Sequence, residues 1–214
     1  MTRSAVFRWA VAVCAVLALP LMAQAEEQRF KITGTELFYA SDVVEPGFSD
    51  DITFEDRDRL RALLRAHDHV EKLVFNSSGG GFYAANAIAD LVIDFALDTQ
   101  VQDRCESSCV TIFLAGQNRT MAPGGRIGFH QVRWSASSIE EYFAANQEEE
   151  NWETPFDFAA WMYLDTQTET YTRLMYMLSR GVDPAFAIRT IRKPDTGMWY
   201  PNRAVLLSAG VLTQ

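Results

Sequence analysis

KLVFNSSGGGFYAANAIADLVIDFALDTQVQDRCESSCVTIFLAG, residues 72–116, is the stretch on which the fold turns. It opens on Leu73, Val74 and Phe75, an apolar run short enough for a buried strand. Three glycines, Gly79 to Gly81, interrupt it. Ala84, Ile88, Leu91, Val92 and Phe95 then recur at the spacing of one helical face. Residues 99–103 read as a second strand. Two like-directed strands need a crossover of this length between them, so the pattern predicts a parallel sheet with covering helices, an α/β fold. The run CVTIFLAG at 109–116 suits a strand by its β-branched residues and suits equally a buried helix ending at Gly116.

Outward from this stretch the chain keeps the same grammar. Residues 29–39 (RFKITGTELFY) alternate like a strand, with Gly34 as a turn or bulge. Thr53-Phe54-Glu55-Asp56 reads as a capped helix start, continued by the stripe Leu60, Leu63, Leu64 and ending near His67. Pro123-Gly124-Gly125 marks a turn before a short strand at 126–130. Residues 134–157 change character: Glu140, Glu141, Glu148, Glu149, Glu150 and Glu153 are interleaved with aromatics. They open an acidic, helical insert, 134–178, of which 134–157 is expected outside the core, mediating assembly or gating the cleft, with its aromatics as a contact surface. Asp183 should cap a helix that starts on Pro184, Trp199-Tyr200 reads as a strand, and residues 202–209 as a last helix.

Residues 1–25 are read separately. Arg3 and Arg8 precede an apolar run from Ala10 to Leu21, and Ala23-Gln24-Ala25 fits a signal-peptidase site. The run is about 12 residues, short of the ~20 a membrane helix needs. The expectation is export to the bacterial periplasm, cleavage before Glu26 and one domain over 26–214, with no membrane attachment afterwards. The chain has 19 basic and 28 acidic residues; losing Arg3 and Arg8 leaves 17 against 28, a net charge of −11. That excludes nucleic acid and anionic membrane surfaces as partners. It also disfavours an acyl-coenzyme A ligand, whose phosphates call for basic residues. Cys105 and Cys109 are the two cysteines left; an even count in an exported protein predicts a disulfide, which residues four apart can close across a turn. Neither they nor His67 and His69 have the spacing of a metal site.

Three short motifs carry chemistry. Asn76-Ser77-Ser78-Gly79-Gly80-Gly81 lies between strand and helix, where glycines let backbone N–H groups face a ligand, or simply make a tight turn. No Gly-Lys-Ser/Thr ending makes it a phosphate loop. Ser107 follows a predicted strand and opens the next element, as a helix cap or as a nucleophile near amide donors. His130 closes Arg126-Ile127-Gly128-Phe129-His130-Gln131, as a base or as a buried, hydrogen-bonded ring.

Taken together these motifs resemble the Clp protease proteolytic subunit, within the Clp-protease/crotonase-like superfamily. That family has an Asn-Ser-Pro-Gly-Gly corner, a serine on a turn into an apolar helix ending in Ala-Gly, and Arg-x-x-x-His-Gln. Here they correspond to Asn76 to Gly80, Ser107 through Ala115-Gly116, and Arg126 to Gln131. The likeness runs from about Lys72 to Gln131. It implies a spiral of strand–helix units with a mostly parallel sheet and an inserted helical arm, and it makes 109–116 a helix. It implies Ser107 as nucleophile, His130 as base, and N–H donors for the oxyanion at Gly80 and Ser108. The third group would be Asp195, in the Asp195-Thr196 pair before Gly210-Val211-Leu212. The implied protein is a serine hydrolase, most simply a peptidase acting on peptides or proteins, without cofactor or metal, and capable of homo-oligomerisation. The other reading is a catalytically inactive relative that binds or assembles with proteins in the periplasm. Two departures stand out: Ser78 replaces the family's proline, and the segment between His130 and Asp195 is longer than the family's.

Overall fold

The computed structural model describes residues 28–192 and 197–214. A six-stranded sheet runs in the order β1-β2-β3-β4-β5, with β6 also paired to β4. β1 (Phe30–Thr33) and β2 (Glu36–Tyr39) form an antiparallel hairpin turning on Gly34, so the segment read as one strand is two. All remaining pairings are parallel: β2 with β3 (Lys72–Ser77), β3 with β4 (Asp98–Glu106), and β4 with both β5 (Arg119–Met121) and β6 (Arg126–Gly128). The predicted mostly parallel α/β architecture is the one observed.

β4 is the axis. Its first half pairs with β5 through Thr99, Gln100 and Val101, and its second half with β6 through Arg104, Cys105 and Glu106. The turn at 122–125 lets one edge of β4 serve two short strands. Val74, Phe75, Val101 and Ile127 are buried in the sheet. The crossovers α1 (Phe54–Ala66) and α2 (Phe82–Asp94) cover it, and Ile88 and Val92 of α2 are almost wholly buried, as the stripe predicted. The ambiguous run is helix, α3 (Cys109–Leu114), with Ile112 and Phe113 fully buried. Gly116 after it lies where a Cβ would stand 2.1 Å from the Thr99 hydroxyl, so a side chain there would force helix and sheet apart.

The acidic segment forms α4 (Ala136–Asn146), and α5 (Pro155–Ser179) returns to the core. Its aromatics divide into two sets: Trp134, Phe156, Tyr163 and Tyr171 are exposed, as expected of a contact surface, while five others turn inward. Tyr142, Phe143, Trp152, Phe158 and Trp161 stack on one another with ring centroids 4.7–6.3 Å apart. They close a small core between α4 and α5, in the offset and tilted geometries aromatic pairs prefer. α5 is fastened to the domain by the Tyr176 hydroxyl, which donates to the Thr111 carbonyl at 3.0 Å. Burial pushes that phenol up to about 12. α6 (Pro184–Ile191) is capped by Asp183, which accepts from the Phe186 N–H at 2.8 Å, and α7 (Arg203–Ser208) by Asn202. Among the described residues no helix is long and apolar enough to cross a membrane.

Candidate active site

Register brings the motifs together. Because Glu106 pairs with Gly128, the residues just beyond, Ser107 on one strand end and Phe129-His130 on the other, emerge side by side. The Ser107 N–H donates to the Gly128 carbonyl at 3.1 Å. Ser107 then takes φ +55°, a left-handed conformation costing a non-glycine residue roughly 1–2 kcal/mol. The neighbourhood holds it there. Cys105 and Cys109, both fully buried, are joined by a disulfide (Sγ–Sγ 1.98 Å, Cα–Cα 5.3 Å) that closes the turn around the serine. The Val110 N–H returns to the Ser107 carbonyl at 3.1 Å. Gly79 packs against the same turn, so closely that a Cβ on it would lie 2.8 Å from that of Ser107.

His130 presents Nε2 to Ser107 Oγ at 2.7 Å, and its Nδ1 lies 2.8 Å from the Gln131 carbonyl oxygen. A carbonyl can only accept, so Nδ1 carries the proton. The lone pair on Nε2 then accepts from the serine hydroxyl. This is the tautomer a general base needs. The strand end is pinned by a two-bond bridge between Phe129 and Trp199 (3.0 and 2.8 Å).

The glycine corner faces the serine. Ile52 bridges to it in parallel fashion: its N–H donates to Gly79 at 3.0 Å, and its carbonyl accepts from the Gly81 N–H at 2.9 Å. Gly80 has φ +147°, and a Cβ there would sit 2.0 Å from the Ile52 nitrogen, which only glycine avoids. The Ser108 hydroxyl donates to the Gly80 carbonyl at 3.0 Å, tying the corner to the turn. Among the described residues neither the Gly80 N–H nor the Ser108 N–H has an acceptor. The site therefore holds a hydroxyl, a correctly protonated imidazole and two uncommitted amide donors.

Residues that the sequence did not single out support this corner. Asp42 accepts from both the N–H (3.1 Å) and the hydroxyl of Ser78 and pairs with Arg104 of β4. A proline at 78 could make neither bond from that residue, which gives the departure from the family's pattern a structural use. Arg29, fully buried, pairs with Asp56 and donates to the carbonyls of Ser41, Val43, Ser49 and Asp51. One guanidinium thus shapes the loop that delivers Ile52 to Gly80. Glu106, buried beside the serine, accepts from the Tyr200 hydroxyl at 2.7 Å and pairs with Arg126 at 3.3 Å. Burial and that bond raise the Tyr200 pKa. Asp195 lies outside the described residues, and among those described no carboxylate reaches His130. Asp183 is engaged as a helix cap.

Neither a family model nor a curated protein matches the chain. A ClpP1 mutant from Listeria monocytogenes superposes with a TM-score of 0.54 over 84% of this chain and 90% of that one, at 15% identity. The fold is ClpP-like. A mutant of 1510-N, a membrane-bound stomatin-specific protease, is also similar, with a TM-score of 0.48, 15% identity, and 76% and 73% of the two chains covered.

Proposed function

We propose that the protein is an exported serine hydrolase, acting on peptides, with Ser107 as nucleophile and His130 as general base. The carrying observation is the 2.7 Å contact between Ser107 Oγ and His130 Nε2 with the ring proton on Nδ1. The Ser107 proton passes to Nε2 as Oγ attacks the substrate carbonyl carbon. The resulting alkoxide is stabilised by the Gly80 and Ser108 N–H groups. On collapse the imidazolium gives its proton to the leaving amine, and water, deprotonated by the same nitrogen, releases the acyl group.

Asp195 is proposed as the group that takes over the Nδ1 proton from the Gln131 carbonyl. Support comes from covalent tethering: it stands four residues before Trp199, which pairs with Phe129 beside the base. Export is supported by the basic and apolar start of the chain and by the Cys105–Cys109 disulfide, a bond that persists in oxidising compartments. Phe156, Tyr163, Leu164 and Tyr171 are exposed on α5, which supports self-association through that helix. A second reading, an inactive binding protein, is favoured by one feature: His130 Nδ1 is satisfied by a backbone carbonyl.

Turnover of an activated ester by the mature protein separates the two. Ser107→Ala and His130→Ala should each abolish it, with the double variant no worse, because such groups act as a unit. Asp195→Asn should lower kcat by up to about 10⁴-fold. Full activity in Ser107→Ala would end the hydrolase assignment to this site.

A further inference from the structure

A cavity of about 420 Å³ lies between the 131–134 segment, α5 and the start of α2. That volume lies within the range of small-ligand sites. Phe82 in its wall is the residue after Gly81 of the glycine corner, and Gln131 is the residue after His130. The cavity thus lies one residue along the chain from both the glycine corner and the base, placed to receive a substrate residue flanking the cleaved bond. Trp134 supplies apolar lining, while Arg133, Glu169 and Arg173 supply charge.

Resting on the hydrolase reading above, we infer that this cavity is a subsite for a substrate carboxylate, and that Arg173 is the residue that binds it. Arg173 is half-buried on α5, and among the described residues its guanidinium has neither a carboxylate within 4.0 Å nor a hydrogen-bond acceptor. Burial lowers its pKa, and among the described residues no acid draws it back up. A guanidinium stripped of water and left unpaired is costly, and a carboxylate entering the cavity would answer it with two parallel N–H···O bonds. Glu169, one turn earlier, is the one acid among the described lining residues, and it makes no ion pair with Arg173. Burial and Asp165 push its carboxyl up. The chain carries 28 acids against 19 bases, yet the described residues of this lining hold two arginines to one acid. An anionic substrate repelled elsewhere is attracted here.

The carboxylate can belong to an acidic side chain or to a peptide C-terminus, and binding to the Ser107→Ala protein tells them apart. Fluorescein-labelled peptides are compared by anisotropy in two pairs: Glu against Gln within the sequence, and free acid against amide at the C-terminus. In one pair the carboxylate form should bind about tenfold tighter, the scale of a charge-assisted bond. Adding Arg173→Gln should erase that difference. Arg173→Lys, which keeps the charge but not the fork, should retain part of it and serves where the Gln variant does not fold. No discrimination in either pair, or a difference that survives both substitutions undiminished, overturns the inference. Fluorophosphonate labelling of the wild-type protein is the independent arm. Carboxylate preference without labelling keeps the subsite and removes the hydrolase reading; labelling without preference does the reverse.

Discussion

Gly80→Ala tests the oxyanion corner through a clash whose size is known. The added Cβ would stand 2.0 Å from the Ile52 nitrogen and 2.9 Å from the Asp51 carbonyl carbon and Ile52 Cα. Ordinary contact begins near 3.5 Å, so the two backbones must part by more than about 1 Å. That breaks the Ile52 bridge, with its bonds of 3.0 and 2.9 Å. Two hydrogen bonds at about 1 kcal/mol each, with about 1–3 kcal/mol for alanine at φ +147°, give a loss of roughly 3–5 kcal/mol. A domain with a stability of about 5–15 kcal/mol survives this at reduced temperature. The Gly80 N–H, however, leaves its place, and losing one oxyanion donor lowers kcat by about 10²–10³. The measurements are thermal unfolding and kcat on an activated ester, beside Gly81→Ala. Gly81 lacks a positive φ, and its added Cβ would meet only the Ile52 carbonyl at 3.0 Å and Ala84 at 3.7 Å, so both effects should be much smaller. A Gly80→Ala protein with wild-type stability and kcat within a few-fold would refute the reasoning.

Other outcomes follow from the same contacts. Replacing Cys105 and Cys109 together by alanine removes a closure worth about 2 kcal/mol for so short a loop, comparable with the cost of the left-handed Ser107; kcat on the ester should fall by about tenfold while circular dichroism stays native, and an unchanged kcat would show that the disulfide does not hold the turn. Arg29→Met strands Asp56 in the core and should cost about 3–5 kcal/mol by denaturant titration, with Asp56→Asn added on top largely restoring it if the stranded charge is the cause. N-terminal sequencing of the mature protein should begin at Glu26; an intact Met1 in a membrane fraction would contradict export.

What the sequence made legible follows periodicity and local turn chemistry. The α2 stripe from Ala84 to Val92, the Asp183 cap and the glycine corner are local signals, and each is found where it was expected. β5 was not anticipated, because Arg119-Thr120-Met121 has no alternation of its own and becomes a strand only by pairing with Thr99 to Val101. The closeness of Ser107 and His130, 23 residues apart, came from resemblance rather than from any pattern; physically it is the work of the β4–β6 register. Arg29 escaped notice because a charged residue ahead of an edge strand reads as solvated, and its acceptors are carbonyls of a loop 12–22 residues away. The inward set of the arm's aromatics was missed for a related reason: composition counts them, but only the α4–α5 turn shows that Tyr142, Trp152, Phe158 and Trp161 face one another. Asp195 remains a reading of the sequence, outside the described residues.

The most direct test is mass mapping of the mature protein after exposure to a fluorophosphonate. The account predicts one covalent adduct, on Ser107, lost in His130→Ala, because the hydroxyl is nucleophilic only when Nε2 takes its proton. An adduct on Ser108 instead, or no adduct from a folded protein whose Cys105–Cys109 disulfide is intact, would contradict it.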